Sequence, residues 1–456
     1  MVVKIVGRKL SYNGRSMLVD DLINDSFYEY ANSKALDYHL SKYCVNEIYG
    51  KYILDFLALD RWVSDNKPSS IDIKLADKEY SFIVEDVCKK NGIKVQGVNH
   101  WKKITSIISF ESNLLLSLFY FLYLFLRIPY RNGITKAPKF SIVRSKAAIK
   151  KIAKFPEISC EIEDPKRKDS VYSLFPRFNK VKWPFIAYIR ARRSKKEMNC
   201  FYARTVGPSF KYVLNIYYAR RILYAEVYRL LLDSYFRHFK DCEFYTANNL
   251  DRFSVIEDEM ASKYQIKSFN IPHGIEYGFR FPKGFSSDVF YAHSQYAADY
   301  LNKLYSTTKY VYKKEVISRM FSYNCTKPHG QMIIFFTEPR EANVNVEIIN
   351  GLIPVVKELN KKLYIKLHPV EKPEFYKNID VEIFTDYDTS LTGNICISRK
   401  STILLEAIYN NSTPIAIITN PKDQATFNQF PALNAQEIIK TYSIDELGKV
   451  ISNHLL

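Results

Sequence analysis

Residues 394–418, NICISRKSTILLEAIYNNSTPIAII, decide how this chain folds. Residues 394–397 form a short apolar run of strand type that ends in Ser398. Residues 401–409 carry Ile, Leu and Ala at helical spacing, and 414–418 is a second apolar run. A strand, a helix and a strand joined by such short connections predict a parallel pair with a right-handed crossover.

The alternation extends in both directions. Upstream, 332–336 reads as a buried strand and 346–359 as a helix. Residues 363–367 then read as a strand ending at His368-Pro369. Further back come strands at 242–246, 266–271 and 288–292 with helices at 251–264 and 295–304, and 212–239 reads as one long amphipathic helix. Strands alternating with helices imply an α/β protein with parallel sheets. Ligands of such sheets sit at the carboxyl ends of the strands, where the polar motifs of this sequence fall.

Two domains suit a chain of 456 residues. The expected organisation is an N-terminal acceptor-side Rossmann-like domain over 1–306, a polar linker over 307–330 and a C-terminal nucleotide-binding domain over 331–456. The first domain includes an apolar segment at 104–128 and a basic, Pro-interrupted region at 137–200 that reads as an insertion or a loop-rich acceptor-side region. Residues 1–6 read as a short strand, without the layout of a secretory signal. Seven scattered cysteines with no C-x-x-C pair suit reduced thiols, and the chain is expected to be cytoplasmic.

A net charge of +18 calls for an anionic partner. Its clusters, Pro165-Lys166-Arg167-Lys168 and Arg190-Ala191-Arg192-Arg193-Ser194-Lys195-Lys196, serve equally as solvated faces. No zinc-finger spacing, RNP motif or helix-turn-helix signal accompanies them, so a membrane surface or a phosphorylated substrate is expected rather than nucleic acid. The run LLLSLFYFLYLFL at 114–126 is shorter than the roughly 18 to 20 residues of a spanning helix. It reads as a core helix, as an interfacial anchor flanked by Lys102, Lys103, Arg127 and Arg131, or as a true span, and its Tyr and Phe residues favour contact with a membrane surface.

Ser398-Arg399-Lys400-Ser401-Thr402 puts three hydroxyls and two cations where a strand meets a helix. Free N–H groups and the helix dipole favour an anion there, although Ser401 also suits a plain N-cap. His368, with Lys366 before it and Pro369 after it, can meet a phosphate or cap the strand end. Thr337 and Glu338 face the same side from the first strand of the domain. Glu406, at i+4 from Thr402, shares its helix face and can reach a ribose diol. Upstream, His273-Gly274-Ile275-Glu276 follows a strand, and either His273 or Glu276 can act as general base, with Asn248 and Asn249 nearby. Asp386-Tyr387-Asp388 has the D-x-D form of a metal site but lies in a polar loop, so no metal is expected. No Walker loop, G-x-G-x-x-G, H-E-x-x-H or G-x-S-x-G occurs.

Taken in order, Pro272-His273-Gly274, Thr337-Glu338-Pro339, Lys366-Leu367-His368-Pro369, Ser398-x-x-Ser401-Thr402-x-x-Leu405-Glu406-Ala407 and Pro414 resemble a superfamily of bacterial surface-polysaccharide transferases. It comprises sialyltransferases and polysialyltransferases, capsule Kdo transferases and teichoic-acid glycerophosphotransferases. The resemblance covers roughly residues 242–456. It implies two Rossmann-like domains facing a cleft (the GT-B fold), transfer without a metal, and a cytidine-nucleotide donor whose phosphate His368, Ser401 and Thr402 contact. In the glycerophosphotransferase branch the His-Gly histidine is essential, which would make His273 catalytic. The acidic Asp/Glu-Asp/Glu-Gly motif of the sialyltransferase branch is missing, leaving Glu276 or Glu257-Asp258-Glu259 in its place.

These readings combine into one expectation. A sugar, foremost a nonulosonic acid of the sialic acid or Kdo type on CMP, passes to a lipid-linked glycan, lipopolysaccharide or capsule acceptor at the inner face of the inner membrane. A CDP-glycerol or CDP-ribitol phosphotransferase and a non-catalytic nucleotide-binding scaffold are the alternatives.

Overall fold

The computed structural model describes residues 1–38, 45–131, 133–272, 274–323, 331–339 and 342–455. The chain divides into two compact units, one of residues 1–273 and 279–290, the other of 274–278 and 291–456. Residues 307–330, expected as a linker, fall inside the second unit and contribute a strand and the helix Lys314–Phe321 to it.

The first unit opens with a mixed sheet of β1 (Val2–Gly7), β2 (Lys9–Tyr12), β3 (Arg15–Leu18), β4 (Ser70–Ala76) and β5 (Lys94–Gln96), ordered β3-β2-β1-β4-β5. In β1, buried Val3 and Ile5 alternate with exposed Val2 and Val6, which marks a sheet covered on one face. β2 and β3 form a hairpin closed by Asn13-Gly14, both at positive φ (48° and 72°). Two such residues make the type I′ turn whose twist matches the flanking strands.

A second sheet, all parallel, follows: β6 (Lys139–Val143), β7 (Ser159–Ile162), β8 (Glu243–Thr246), β9 (Lys267–Asn270) and β10 (Val289–Tyr291). These strands hydrogen-bond in the order β10-β9-β8-β6-β7. The region 137–200 is therefore not an insertion. It supplies β6 and β7, and then the helix Arg177–Thr205. The single helix expected over 212–239 is two, Phe210–Tyr218 and Ile222–Phe236. The apolar segment lies in the helix His100–Arg127, whose start Asn99 caps by accepting hydrogen bonds from the N–H groups of Trp101 and Lys102.

The second unit carries β11 (Tyr310–Val311) and a six-stranded parallel sheet. Its strands are β12 (Ile333–Phe336), β13 (Leu363–Lys366), β14 (Glu382–Ile383), β15 (Ile395–Ser398), β16 (Thr413–Ile417) and β17 (Ile439–Thr441), ordered β14-β13-β12-β15-β16-β17. All four residues of β12 are at most 3% exposed, so helices cover both faces of this strand. Each of those side chains contributes roughly 1.5 to 3 kcal/mol by leaving water. The overall class is thus α/β, with two parallel sheets flanked by helices, and a mixed sheet of the first hundred residues that sequence reading did not resolve.

Candidate nucleotide-binding site

In the second unit, β13 lies on one side of β12 and β15 on the other, so the chain reverses its direction of travel across the sheet between β12 and β15. Crossovers diverge at such a point and leave a crevice outside the strand ends. A cleft of about 700 Å³ is found there. Asn343 and Val344 line it from the helix Ala342–Glu358 that follows β12, Val370 and Glu371 from the loop after β13, Arg399 from the end of β15, and Asn420 from the end of β16.

None of the nine expected donor residues is among the lining residues of this cleft; Thr337 adjoins it through Glu371, and Glu338 and Ser398 through the loop after β15. Thr337 extends β12, its N–H donating to the Lys366 carbonyl at 3.0 Å. Its hydroxyl donates to the Glu371 carboxylate and accepts from the N–H of His368 at 3.0 Å. The buried Asn345 amide donates to the Glu338 carbonyl at 2.8 Å and to Glu371 Oε1 at 3.2 Å. Glu338 Oε1 accepts from the N–H of Lys400 at 3.1 Å and from Ser398 Oγ at 3.4 Å, tying the end of β12 to the loop after β15. Glu338 is 8% exposed, so this carboxylate shapes the loop rather than standing open to a base or ribose.

His368 is half-buried and Pro369 exposed. The Lys366 ammonium donates to the Thr385 carbonyl, and burial lowers its pKa. Ser401 and Thr402 are half-buried at the start of the helix Ile403–Ile408. Ser401 Oγ accepts from the Ile403 N–H at 3.4 Å, and Thr402 makes no side-chain cap. Glu406 does lie one turn beyond Thr402, its N–H donating to the Thr402 carbonyl at 3.0 Å. Its carboxylate is buried and accepts from Tyr323 at 2.6 Å and Tyr387 at 3.0 Å. Burial and that carboxylate together hold both phenols above their ordinary pKa.

Charge distinguishes the wall. Arg399 is 1% exposed, and its guanidinium donates to Asp423 through Nε at 2.6 Å and Nη2 at 2.5 Å. Asp423, fully buried, also accepts from Lys400 Nζ and Asn420 Nδ2, each at 2.9 Å. Burial pushes the Asp423 carboxyl up, but the hydrogen bonds from Arg399 and Lys400 outweigh it and hold the pKa below the ordinary carboxylate range. Arg399 and Lys400 thus share the Asp423 carboxylate, and among the described lining residues Arg399 is the cation, set beside the carboxylates of Glu347 and Glu371.

Glu276, one of the two acid–base candidates, falls elsewhere in the same unit. His273 lies outside the described residues. Glu276 is fully buried, and its Oε1 meets His293 Nδ1 and accepts from the His293 N–H, each at 2.8 Å. Its other oxygen, Oε2, is buried without a hydrogen-bond partner among the described residues. A carboxylate on Nδ1 puts the ring proton there and leaves Nε2 as the accepting nitrogen. The imidazole stacks on Phe321 at 5.4 Å and lines a second cavity of about 370 Å³, shared with Gln295, Asp299, Tyr312 and Tyr409.

The other acidic candidates are structural. In the first unit, Glu257 is buried, accepting from Tyr228, Thr246 and Asn248 at 2.6, 2.6 and 2.8 Å, and burial pushes its pKa up to about 8. Asp258 accepts from the Ser287 N–H at 2.6 Å, and Glu259 pairs with Arg229 at 2.7 Å. In the second unit, Asp386 caps the short helix Tyr387–Ser390, accepting from the Asp388 N–H at 3.1 Å. Among the described residues no group of three His, Cys, Asp or Glu is placed to hold a metal ion.

Sequence reading missed Glu371, Asn345, Asp423 and His293. Asp423 had a signal, since Asn420-Pro421 opens a helix with an N-cap and a proline at its first position. His293 had none, because its partner is seventeen residues away across two loops. No family model matches the chain, and no curated protein matches it in sequence.

Proposed function

We propose that this chain is a metal-independent glycosyltransferase of the GT-B type acting in bacterial surface-polysaccharide synthesis. It moves a sugar, foremost a nonulosonic acid of the sialic acid or Kdo type, from a CMP donor to a lipid-linked glycan acceptor at the cytoplasmic face of the inner membrane. The observation that carries this reading is the 700 Å³ cleft at the carboxyl edge of the β12–β17 sheet, with Arg399 and Lys400 sharing one carboxylate beside it. The ordered motifs at the strand ends frame the same edge.

In the proposed reaction the nucleotide occupies this cleft with its phosphate toward Arg399 and away from the carboxylates of Glu347 and Glu371. The bond between the sugar carbon and the phosphate oxygen breaks as the acceptor hydroxyl oxygen bonds to that carbon. The hydroxyl proton passes to a base, and CMP departs with both bonding electrons. We assign the base to His293, its accepting Nε2 set by Glu276; because His293 lines the second cavity and not the cleft, this assignment requires the acceptor hydroxyl to reach it through that cavity. A leaving group with a single phosphate gains one negative charge, which fixed cations and hydrogen-bond donors can offset.

The test is CMP release from CMP-sialic acid and CMP-Kdo, with and without a lipid-linked oligosaccharide, in the presence of EDTA. Acceptor-dependent release with one of these donors supports the proposal. Release of CMP from CDP-glycerol in their place assigns the chain to phosphotransfer, and nucleotide binding without turnover on any donor makes it a scaffold.

A further inference from the structure

The helix His100–Arg127 buries Ser106, Phe110, Leu114, Leu118, Phe121 and Phe125, a stripe at spacings of three and four residues. Only 28% of its most apolar eighteen-residue window lies inside the protein. The opposite stripe is open to solvent: Leu115, Leu116, Phe119, Tyr123 and Leu126 are each between 46% and 65% exposed. The helix Arg177–Thr205 packs alongside it, antiparallel, since Arg192 meets Glu111 near one end and Lys180 Nζ donates to the Ile128 carbonyl at 2.9 Å near the other. That second helix exposes Phe178, Phe185 and Ile189. Exposed large apolar residues in this number on two packed helices suit a contact site.

A cavity of about 690 Å³ opens against the exposed side of this helix and is lined by Leu116 of the exposed stripe and by its half-exposed neighbour Tyr120. Its far side is charged. Arg144, Glu163 and Asp164 stand at the carboxyl ends of β6 and β7, with Lys166 and Arg220 at the rim. Glu163 is fully engaged, accepting from Tyr172 at 2.6 Å and Tyr224 at 2.7 Å and pairing with Arg144 at 3.4 Å. Asp164 accepts from the Lys166 N–H at 2.9 Å. Arg220 donates to Asn113 at 2.9 Å, and neither it nor Lys166 has a carboxylate partner among the described residues. Three cations thus face two carboxylates, an excess of one positive charge, and Lys166 and Arg220 are the exposed ones.

We infer that this cavity receives the phosphate-bearing headgroup of a membrane lipid while the exposed stripe of His100–Arg127 rests in the bilayer surface. The cavity is of the size that ligand sites have. Its apolar edge continues into the stripe, so one amphiphile can keep its head among Lys166 and Arg220 and its chains along Leu116 and Tyr120. Tyr side chains with flanking Lys and Arg are what a helix lying in the headgroup region needs. A second copy of this chain is the poorer occupant, because pairing the faces would bring the basic rims of two molecules of charge +18 together. The inference does not depend on the transfer reaction.

The test is co-sedimentation of the full chain with vesicles of phosphatidylcholine alone and of phosphatidylcholine with phosphatidylglycerol. The wild type is expected to bind the anionic vesicles and to leave the neutral ones. Lys166→Ala with Arg220→Ala lowers that affinity about thirtyfold, at ~1 kcal/mol per basic residue near the surface. Lys166→Arg with Arg220→Lys preserves it. Leu116→Ser with Phe119→Ser and Tyr123→Ser, all at exposed positions and checked for an unchanged unfolding midpoint, abolishes it. Equal binding to both vesicles, or anionic binding indifferent to the charge and stripe variants, overturns the inference. So does competition by free glycerol phosphate, which would assign the cavity to a soluble ligand, or a dimer that the stripe variants dissociate with no vesicle binding at all.

Discussion

Arg399 and Asp423 are joined by two hydrogen bonds, at 2.6 and 2.5 Å, with the guanidinium 1% and the carboxylate 0% exposed. Neither is near the other in sequence; β16 runs between them. Removing one partner of a buried pair strands the other charge, which costs about 3–5 kcal/mol. Asp423→Ala should therefore lower the unfolding free energy of the second unit by about that amount in chemical denaturation. A loss under about 1 kcal/mol would show that water reaches the pair, as it does in surface ion pairs.

In the proposed reaction Glu276 acts only through His293, which its carboxylate contacts at Nδ1. Glu276→Gln should lower kcat on the order of a hundredfold with the donor KM nearly unchanged, and His293→Gln should lower it at least as far. Loss of the acid limb of the pH–rate profile in His293→Gln separates a base from a packing residue. Wild-type kcat in Glu276→Gln sinks this assignment.

Glu257 gives the first unit a defined pH dependence. Its pKa rises from an ordinary 4.5 to about 8 because burial outweighs the hydrogen bonds from Thr246, Tyr228 and Asn248. The folded state thus holds a proton that the unfolded state releases near 4.5. The stabilisation is full below 4.5, declines as pH rises, and is lost above about 8. One proton sets a slope of at most about 1.4 kcal/mol per pH unit. Glu257→Gln should flatten urea-denaturation stability between those limits and be more stable than wild type at the alkaline end. An unchanged slope would mean that the carboxylate is ionised in the fold.

Asp386 spends its carboxylate on a helix start, with Asp388 as the residue whose N–H it accepts. Activity is expected to survive EDTA, and Asp388→Asn should leave it within about twofold, as for a surface position. Loss restored by Mg²⁺ would make this pair a metal site.

Parts of this architecture could be read from the chain alone. Ile333–Phe336 and Ile395–Ser398 are short apolar runs with polar ends, and a strand buried on both faces needs that pattern. The helix break at residues 219–221 was invisible because Ala219, Arg220 and Arg221 contain neither Gly nor Pro and the apolar period runs through them. β6 was passed over because a basic, Pro-interrupted neighbourhood hid five residues, Lys139–Val143, that end up in the sheet interior. Asn13-Gly14 is the sequence signal of the β2–β3 hairpin. In the site, motif residues such as Thr337 and Glu338 were found, but their bonding is inward, to Glu371, Ser398 and Lys400. The cleft wall comes from their neighbours, and only the folded geometry of four strand ends reveals that.

The most direct test of the account is a titration of the full chain with CMP followed by its thermal unfolding midpoint, run beside Asn343→Trp, which places a large ring in the cleft from an exposed helix position. CMP at about a hundred times its Kd should stabilise the wild type by roughly 2.7 kcal/mol, and the variant should lose most of that gain. No shift with CMP, CDP, UDP, GDP or ADP, or a CMP shift that Asn343→Trp leaves intact, would contradict a nucleotide site at the carboxyl edge of this sheet.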